Sequence, residues 1–426
     1  MRRLCYVVAV LLIATGVLFA GGKQEGTGEP GDTVLRIASA IQGPEEIRIY
    51  NDLVAEFEAN HPGTRVEWDR STGDDYQFTG LPSLLESDTP PDIYFEWGGN
   101  RVAEWAADGY ALDITDLADE LRPIINESAW AGSEHEGATY LIPDNQDITI
   151  MMWYNVDLFN RYGLAAPDTW DEFLAVGEVL LENGVTPIVM GNADAWVAGN
   201  FIGVFLSRWA GDDYTHRVLS LEPGTALNNP RFIEALQFAY ELGRRGFINS
   251  DVNTLGYEDS FARLFNESAA IYPLGTWFTD EVVNAFAEDP EKANFDYFDV
   301  PSFAGGAGDP DSVMGLNTGW LVNANTENRN LAYDFLRLLL SEKYQSRFID
   351  IGRISTNTTA MNGSDDPYIR QVARTLDSTP VLISPPDTGY DLEMASALYE
   401  AIAKVIEGID PATALAEAEN KVQFLR

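Results

Sequence analysis

Residues 140–173 read YLIPDNQDITIMMWYNVDLFNRYGLAAPDTWDEF, and the fold is decided here. Ile148 to Tyr154 is an unbroken apolar run, the pattern of a strand covered on both faces. Asn155 to Tyr162 then shows a short helical period in Val156, Phe159 and Tyr162, and Gly163 ends it as a residue tolerant of positive φ. A second helix opens at Pro167-Asp168-Thr169-Trp170, with Thr169 as N-cap and Glu172 three residues on completing a capping box. A buried strand, a short helix and a fresh start predict a crossover between two lobes.

Upstream, Thr33 to Ala40, Glu45 to Asn60 and Thr64 to Trp68 read as strand, helix and strand. Such a unit implies a right-handed crossover and a parallel sheet. Asp92 to Trp97 is a third strand, ended by Gly98-Gly99. Downstream, Val185 to Met190 and Ala269 to Pro273 read as strands, with helices at Trp170 to Asn183, Phe201 to Ala210 and Pro230 to Arg245. Gly315 to Asn323 reads as a strand returning to the first lobe. A chain of 426 residues exceeds what one core usually holds, so two domains are expected.

The string "apolar strand, Trp153-Tyr154-Asn155, Asp157-Leu158-Phe159, Gly163-Leu164, Pro167-x-Thr169-Trp170-Asp171-Glu172" resembles the middle of the family 1 extracellular solute-binding proteins, the sugar-capturing subunits of bacterial ABC importers. The likeness runs on to Gly408-x-x-Pro411-x-x-Ala414-Leu415 near the C-terminus. It implies an α/β, two-lobed periplasmic-binding-protein fold, each lobe a mostly parallel sheet flanked by helices. The expected division is lobe 1 at 33–147 plus 299–350 and lobe 2 at 152–296 plus 351–426. Hinge strands are expected near 148–155 and 297–301, with ligand in the cleft beside them.

In open α/β sheets, ligands bind beyond the carboxyl ends of strands. That rule selects Trp97, and the loop Asn192, Asp194 and Trp196, which offers amide, carboxylate and ring face together. Gly275-Thr276-Trp277 is similar to a Gly-x-Trp of the family, and the resemblance implies that Trp277 stacks on a sugar. Here Gly275 is expected to let the indole project from its own strand. Further ligand candidates are Gln42 and Glu45 after the first strand, Asn145 and Asp147 before the apolar run, Asn317 in the returning strand, and Tyr390. Arg353, a rare positive charge, is also a candidate, although its first reading is one half of a surface ion pair. Relatives carry a Pro-containing turn near this point, where this chain has Ile354-Ser355.

The chain carries 67 acidic against 27 basic residues, a formal net charge of -40. Such a surface repels nucleic acid and anionic membranes. Three scattered histidines (His61, His135, His216) and one cysteine, Cys5, provide no metal site, and no cofactor motif occurs. No catalytic residue is assigned. A secreted glycoside hydrolase would need two facing carboxylates, with Glu96 and Asp147 the pair to consider. A polyamine- or cation-binding protein of the same fold is the other alternative.

Arg2, Arg3 and the apolar Tyr6 to Ile13 and Val17 to Phe19 read as a signal peptide over 1–20, followed by a Gly-rich tether at 21–32. Cys5 lies inside the signal, so no cysteine follows the expected cleavage site to be lipidated. The expectation is a periplasmic monomer, unanchored, that binds a carbohydrate and meets membrane permease subunits. The charge yields a first prediction. Self-repulsion acts over about 30 Å at 0.01 M salt and about 3 Å at 1 M. The melting temperature, followed by differential scanning calorimetry, rises markedly as NaCl is added; a flat or falling curve contradicts this.

Overall fold

Strand pairing sorts the described residues into two large sheets, linked by strands that pass from one to the other, and a separate two-stranded hairpin. The structure, a computed structural model, describes residues 33–426 except 41, 42 and 72; the expected signal and tether, and Gln42, lie outside the described residues. In chain order the strands are β1 (Thr33–Ala40), β2 (Thr64–Ser71), β3 (Ile93–Trp97), β4 (Glu134–His135), β5 (Ala138–Thr139) and β6 (Leu141–Ile148). They continue with β7 (Met151–Asn155), β8 (Thr186–Ile188), β9 (Ala269–Leu274), β10 (Phe295–Phe298), β11 (Val313–Val322) and β12 (Leu382–Ile383). The first sheet runs β12-β11-β3-β1-β2, with β6 also paired to β11. The second runs β10-β7-β9-β8.

In the first sheet, β1 lies parallel to β2 from Thr33↔Thr64 to Ala40↔Ser71, and parallel to β3 at Ile37↔Ile93. In the second, only β8 and β9 are parallel; β7 runs antiparallel to both β9 and β10. That departs from the mostly parallel sheet expected there. The reason is the direction of entry. β9 runs toward the lobe junction, where Thr276 N donates to Ile148 O at 2.9 Å. β7 leaves that junction outward, so it must oppose β9.

Each sheet is buried in its own apolar cluster. The first gathers Ile37, Tyr50, Leu53, Phe57, Phe95, Trp320 and Phe335. The second gathers Met152, Phe173, Phe201, Phe205, Phe232, Ile271 and Leu398. The chain changes cluster within β6, since Leu141 and Ile142 belong to the first and Ile148 to the second. It changes again within β11, between Met314 and Trp320, and once more between Phe348 and Ile354.

Two expected boundaries are thereby corrected. Residues 299–312 do not join the first lobe. Val300 and Phe303 pack in the second core, with the Phe303 ring 5.0 Å from those of Trp170 and Phe205. The second passage is β11, not 297–301. Likewise β7 is an interior strand of the second sheet and no hinge; the first passage is β6 and the bend at 149–150.

The local signals around β7 act as the side chains dictate. Asn155 Oδ1 accepts from Leu158 N at 2.9 Å and starts the helix Val156–Tyr162. Gly163, at φ 66°, ends it. Thr169 and Glu172 form a reciprocal capping box on the helix Trp170–Glu182. Among the described residues, no helix is long and apolar enough to cross a membrane.

Phe205 is fully buried, its ring 4.9 Å from Phe201 and 5.5 Å from Trp170. Phe205→Ala removes that filling and costs about 3–5 kcal/mol of stability in urea denaturation; a loss below about 1 kcal/mol would mean that the second core does not depend on this layer.

Candidate functional site

The two lobes meet where β6, β9 and the helix that follows β1 converge. Thr276, just past β9, donates from Oγ1 to Asp147 Oδ1 at 2.6 Å. Asn145 Nδ2 donates to Asp147 Oδ2 at 2.7 Å. From the first lobe, the helix Pro44–Asn60 buries a stripe of Glu46, Ile49, Tyr50, Leu53 and Phe57. Arg353, on the third passage, forms an ion pair with Glu46. Its Nη1 lies 3.2 Å from Tyr50 OH, its Nη2 3.8 Å from Asp144 Oδ2, and its guanidinium 5.3 Å from the Phe348 ring centre. Only 12% of the Arg353 side chain is exposed, so the surface ion pair considered from sequence is a buried one.

The second lobe supplies the helix Phe278–Ala285, which brings Asp280 to the same place. Backbone closeness shows how tightly the lobes approach. A Cβ on Gly43 would lie 3.1 Å from Asn284 Nδ2 and 3.9 Å from Asp280 Cβ. Gly352, at φ 97°, leaves 2.5 Å between such a Cβ and Thr279 Oγ1.

Four carboxylates thus share one guanidinium. Burial pushes the Glu46 carboxyl up to about 7; Arg353 opposes the shift and Asp144 adds to it. Asp280 is pushed up to about 8 by burial and then by Glu46, again against Arg353, with Glu281 and Asp147 adding. Burial also raises Asp144 and Asp147. Asp144 Oδ1 and Asn145 Oδ1 are buried without a hydrogen-bond partner.

Beside this floor stands an aromatic wall. Trp277 Nε1 donates to Tyr257 OH at 2.8 Å. The Trp196 ring lies 5.1 Å from Tyr257 and 6.1 Å from Trp277. All three side chains are half-buried. The expectation that Gly275 frees the indole to project is corrected. The indole folds back over Gly275, where a Cβ would stand 2.1 Å from Trp277 Cζ3. The glycine provides room beneath the ring. On the first lobe, Trp97 ends β3 half-buried, edge-on to Phe95 at 5.1 Å and 6.2 Å from Tyr76.

The remaining candidates divide. Glu45 is paired with Arg48 on the helix's outer side, and its neighbour Glu46 enters the junction instead. Asp194 is exposed and lines, with Trp196, a cavity of about 280 Å³ on the second lobe. Asn192 is buried, accepting from Ala198 N at 2.9 Å and donating to Asn253 Oδ1 at 2.8 Å. Asn317 is buried, donating to Ala131 O at 3.0 Å and accepting from Gln146 Nε2 at 3.0 Å. Tyr390 is buried in the second core with its OH 3.1 Å from His216 Nδ1. The structure uses the polar atoms of these last three for the fold. Glu96 is fully buried, accepting from Trp105 Nε1 at 2.5 Å and Trp97 N at 3.0 Å, while Asp147 is bound to Thr276. These two carboxylates do not face each other across an open bond-cleaving site. Sequence reasoning missed Glu46, Tyr257 and Asp280. The first was legible in the stripe spacing of its helix, and the last stands three residues beyond Trp277.

A family model described as bacterial extracellular solute-binding protein matches residues 43–346. An uncharacterized ABC transporter extracellular-binding protein of Pyrococcus horikoshii is 24% identical over 428 residues, covering 97% of this chain and 91% of the relative. The diacetylchitobiose binding protein DasA of Streptomyces coelicolor is 22% identical over 444 residues, covering 99% and 97%. Among solved structures, the bacterial solute receptor AcbH, described as exclusive for β-D-galactopyranose, superposes with a TM-score of 0.82 at 18% identity, covering 93% of this chain and 100% of that one.

The raised carboxyls give a pH prediction. In an unfolded chain Asp and Glu titrate near about 3.9 and 4.3. Above those values, and up to about 7 for Glu46 and about 8 for Asp280, the folded chain holds more protons than the unfolded one. Their stabilising contribution is full below about pH 4 and is lost as pH rises through 7 and 8. Asp280→Asn flattens the fall in melting temperature between about pH 5 and pH 8 and raises it at the upper end. An unchanged slope in the variant contradicts the assignment.

Proposed function

The chain belongs to the bacterial extracellular solute-binding proteins, and from that premise we propose that it captures a carbohydrate between its lobes and delivers it to the permease subunits of an ABC importer. The observation that carries this reading is the junction of two surfaces. Trp196, Tyr257 and Trp277 form a half-buried aromatic wall, and Asp147 and Asp280 supply acceptors beside it. A saccharide needs both. Its C–H face is apolar and stacks on an indole, and its hydroxyls donate to carboxylates. The named ligands of DasA and AcbH are saccharides too.

Lobes linked by three passages can rotate about them, so the ligand is engulfed by closure. Capture of this kind needs no chemical step, and the protein acts as an exported monomer in the periplasm. The hydrolase alternative loses its carboxylate pair, since Glu96 is bonded within the first lobe.

The test begins with a thermal-shift screen of mono- and oligosaccharides, because a ligand that binds only the folded state raises its stability. The best ligand is then titrated calorimetrically into the Trp277→Ala variant. The expected loss is roughly thirtyfold or more in affinity, from removal of a desolvated stacking aromatic. The indole is only half-buried, so stability falls by less than the about 3–5 kcal/mol of a core tryptophan. Normal binding by the variant contradicts the stacking role.

A further inference from the structure

The junction holds more acidic groups than its buried arginine, Arg353, can balance, and Arg70, which also feels Glu46, is held over Trp68. Glu46 and Asp144 are almost fully buried and take up Arg353 between them. Asp147 and Asp280 are half-buried, on the side of Thr276 and Trp277. Asp147 has only neutral donors, Thr276 Oγ1 and Asn145 Nδ2. No hydrogen bond or ion pair engages the Asp280 carboxylate in the described structure. A second observation points outward from the acids. Asn145 is 4% exposed, and its amide has Nδ2 on Asp147 while its Oδ1 accepts nothing. A buried amide oxygen with no donor is costly and marks a place where a donor belongs.

Resting on the carbohydrate reading above, we propose that the ligand is a saccharide bearing a protonated amine, whose ammonium sits among Asp147, Asp280 and the Asn145 Oδ1 while its ring lies against Trp277. An ammonium is a compact charge with three donors, and the junction offers acceptors on three side chains. A divalent metal fits less well, because among the described residues no group of three or more acids or histidines is arranged to hold one. Closing the lobes over a neutral sugar would leave the surplus charge to be carried by protons. The groups facing Asp280 include Glu46, Asp147, Glu281, Tyr368 and Arg353, and of these only Arg353 is positive. An ammonium ligand supplies the missing cation and lets Asp280 ionise.

The experiment is calorimetric titration of the full chain at neutral pH. The probes are glucosamine, galactosamine and their short oligomers, their N-acetylated and parent neutral sugars, and spermidine. The amino sugars are expected to bind at least about tenfold more tightly than the parents. Their binding heat should vary with the ionisation enthalpy of the buffer, because Asp280 releases its proton. Asp280→Asn should abolish both the preference and the proton release, while its melting curve confirms that it is folded. If the neutral or N-acetylated sugars bind as tightly as the amino sugars, the inference is overturned and the carbohydrate reading stands. If spermidine binds and no sugar does, the carbohydrate reading itself fails. If nothing in the panel binds, the amino-sugar inference is overturned.

Discussion

Arg353 is the buried positive charge around which the acids at the meeting of the lobes gather. It lies between Glu46 of the first-lobe helix and Asp144 of β6, with Tyr50 and Phe348 around it. A buried guanidinium is tolerable only when acids and hydrogen bonds surround it, and buried acids are tolerable only near such a cation. Each therefore requires the other. Breaking the cluster by removing the arginine would leave Glu46 and Asp144 buried and uncompensated, which typically costs far more than losing a surface pair. The tie between Thr276 and Asp147 and the approach of Gly43 to Asp280 bring the second lobe up to this cluster.

The two-core construction makes the junction the place where both lobes contribute side chains. Each lobe buries its own sheet and helices in its own apolar cluster. What joins them is three narrow passages, in β6, in β11 and between Phe348 and Ile354. The passage through β6 carries four consecutive polar residues, Asp144 to Asp147. Gln146 and Asn317 are bonded to each other on one side, while Asn145 and Asp147 reach toward the second lobe. Charge that would destabilise a core is useful between lobes, where solvent or ligand can reach it on opening.

Legibility from sequence followed the strength of local physics. The helix Pro230–Arg245 and the capping box at Thr169 and Glu172 stand where spacing and cap chemistry put them, because those signals are self-contained. β6 was not legible as a strand: Leu141–Ile148 contains Pro143 and four consecutive polar residues, and only pairing with β11 makes it one. The 299–312 segment misled because its cohesion with the second core rests on distant partners of Phe303, not on any pattern of its own. The strand-end rule pointed to Trp97 and the loop of Trp196, and the family likeness to Trp277. Glu45 stood as a ligand candidate by its place after the first strand, and the acid that the helix turns into the junction is its neighbour Glu46. The place of Trp277 after β9 was legible, but its orientation over Gly275, with its Nε1 on Tyr257, was not.

The central claim is that a saccharide lies between the lobes, with the aromatic wall on one side and the carboxylate floor below. A crystal structure grown with the saccharide that stabilises the chain most would test it directly. The account predicts a sugar ring in van der Waals contact with Trp277 and polar contacts to Asp147 or Asp280. A sugar held in the cavity beside Asp194 and Ser396, with the junction around Asp280 empty, would contradict it.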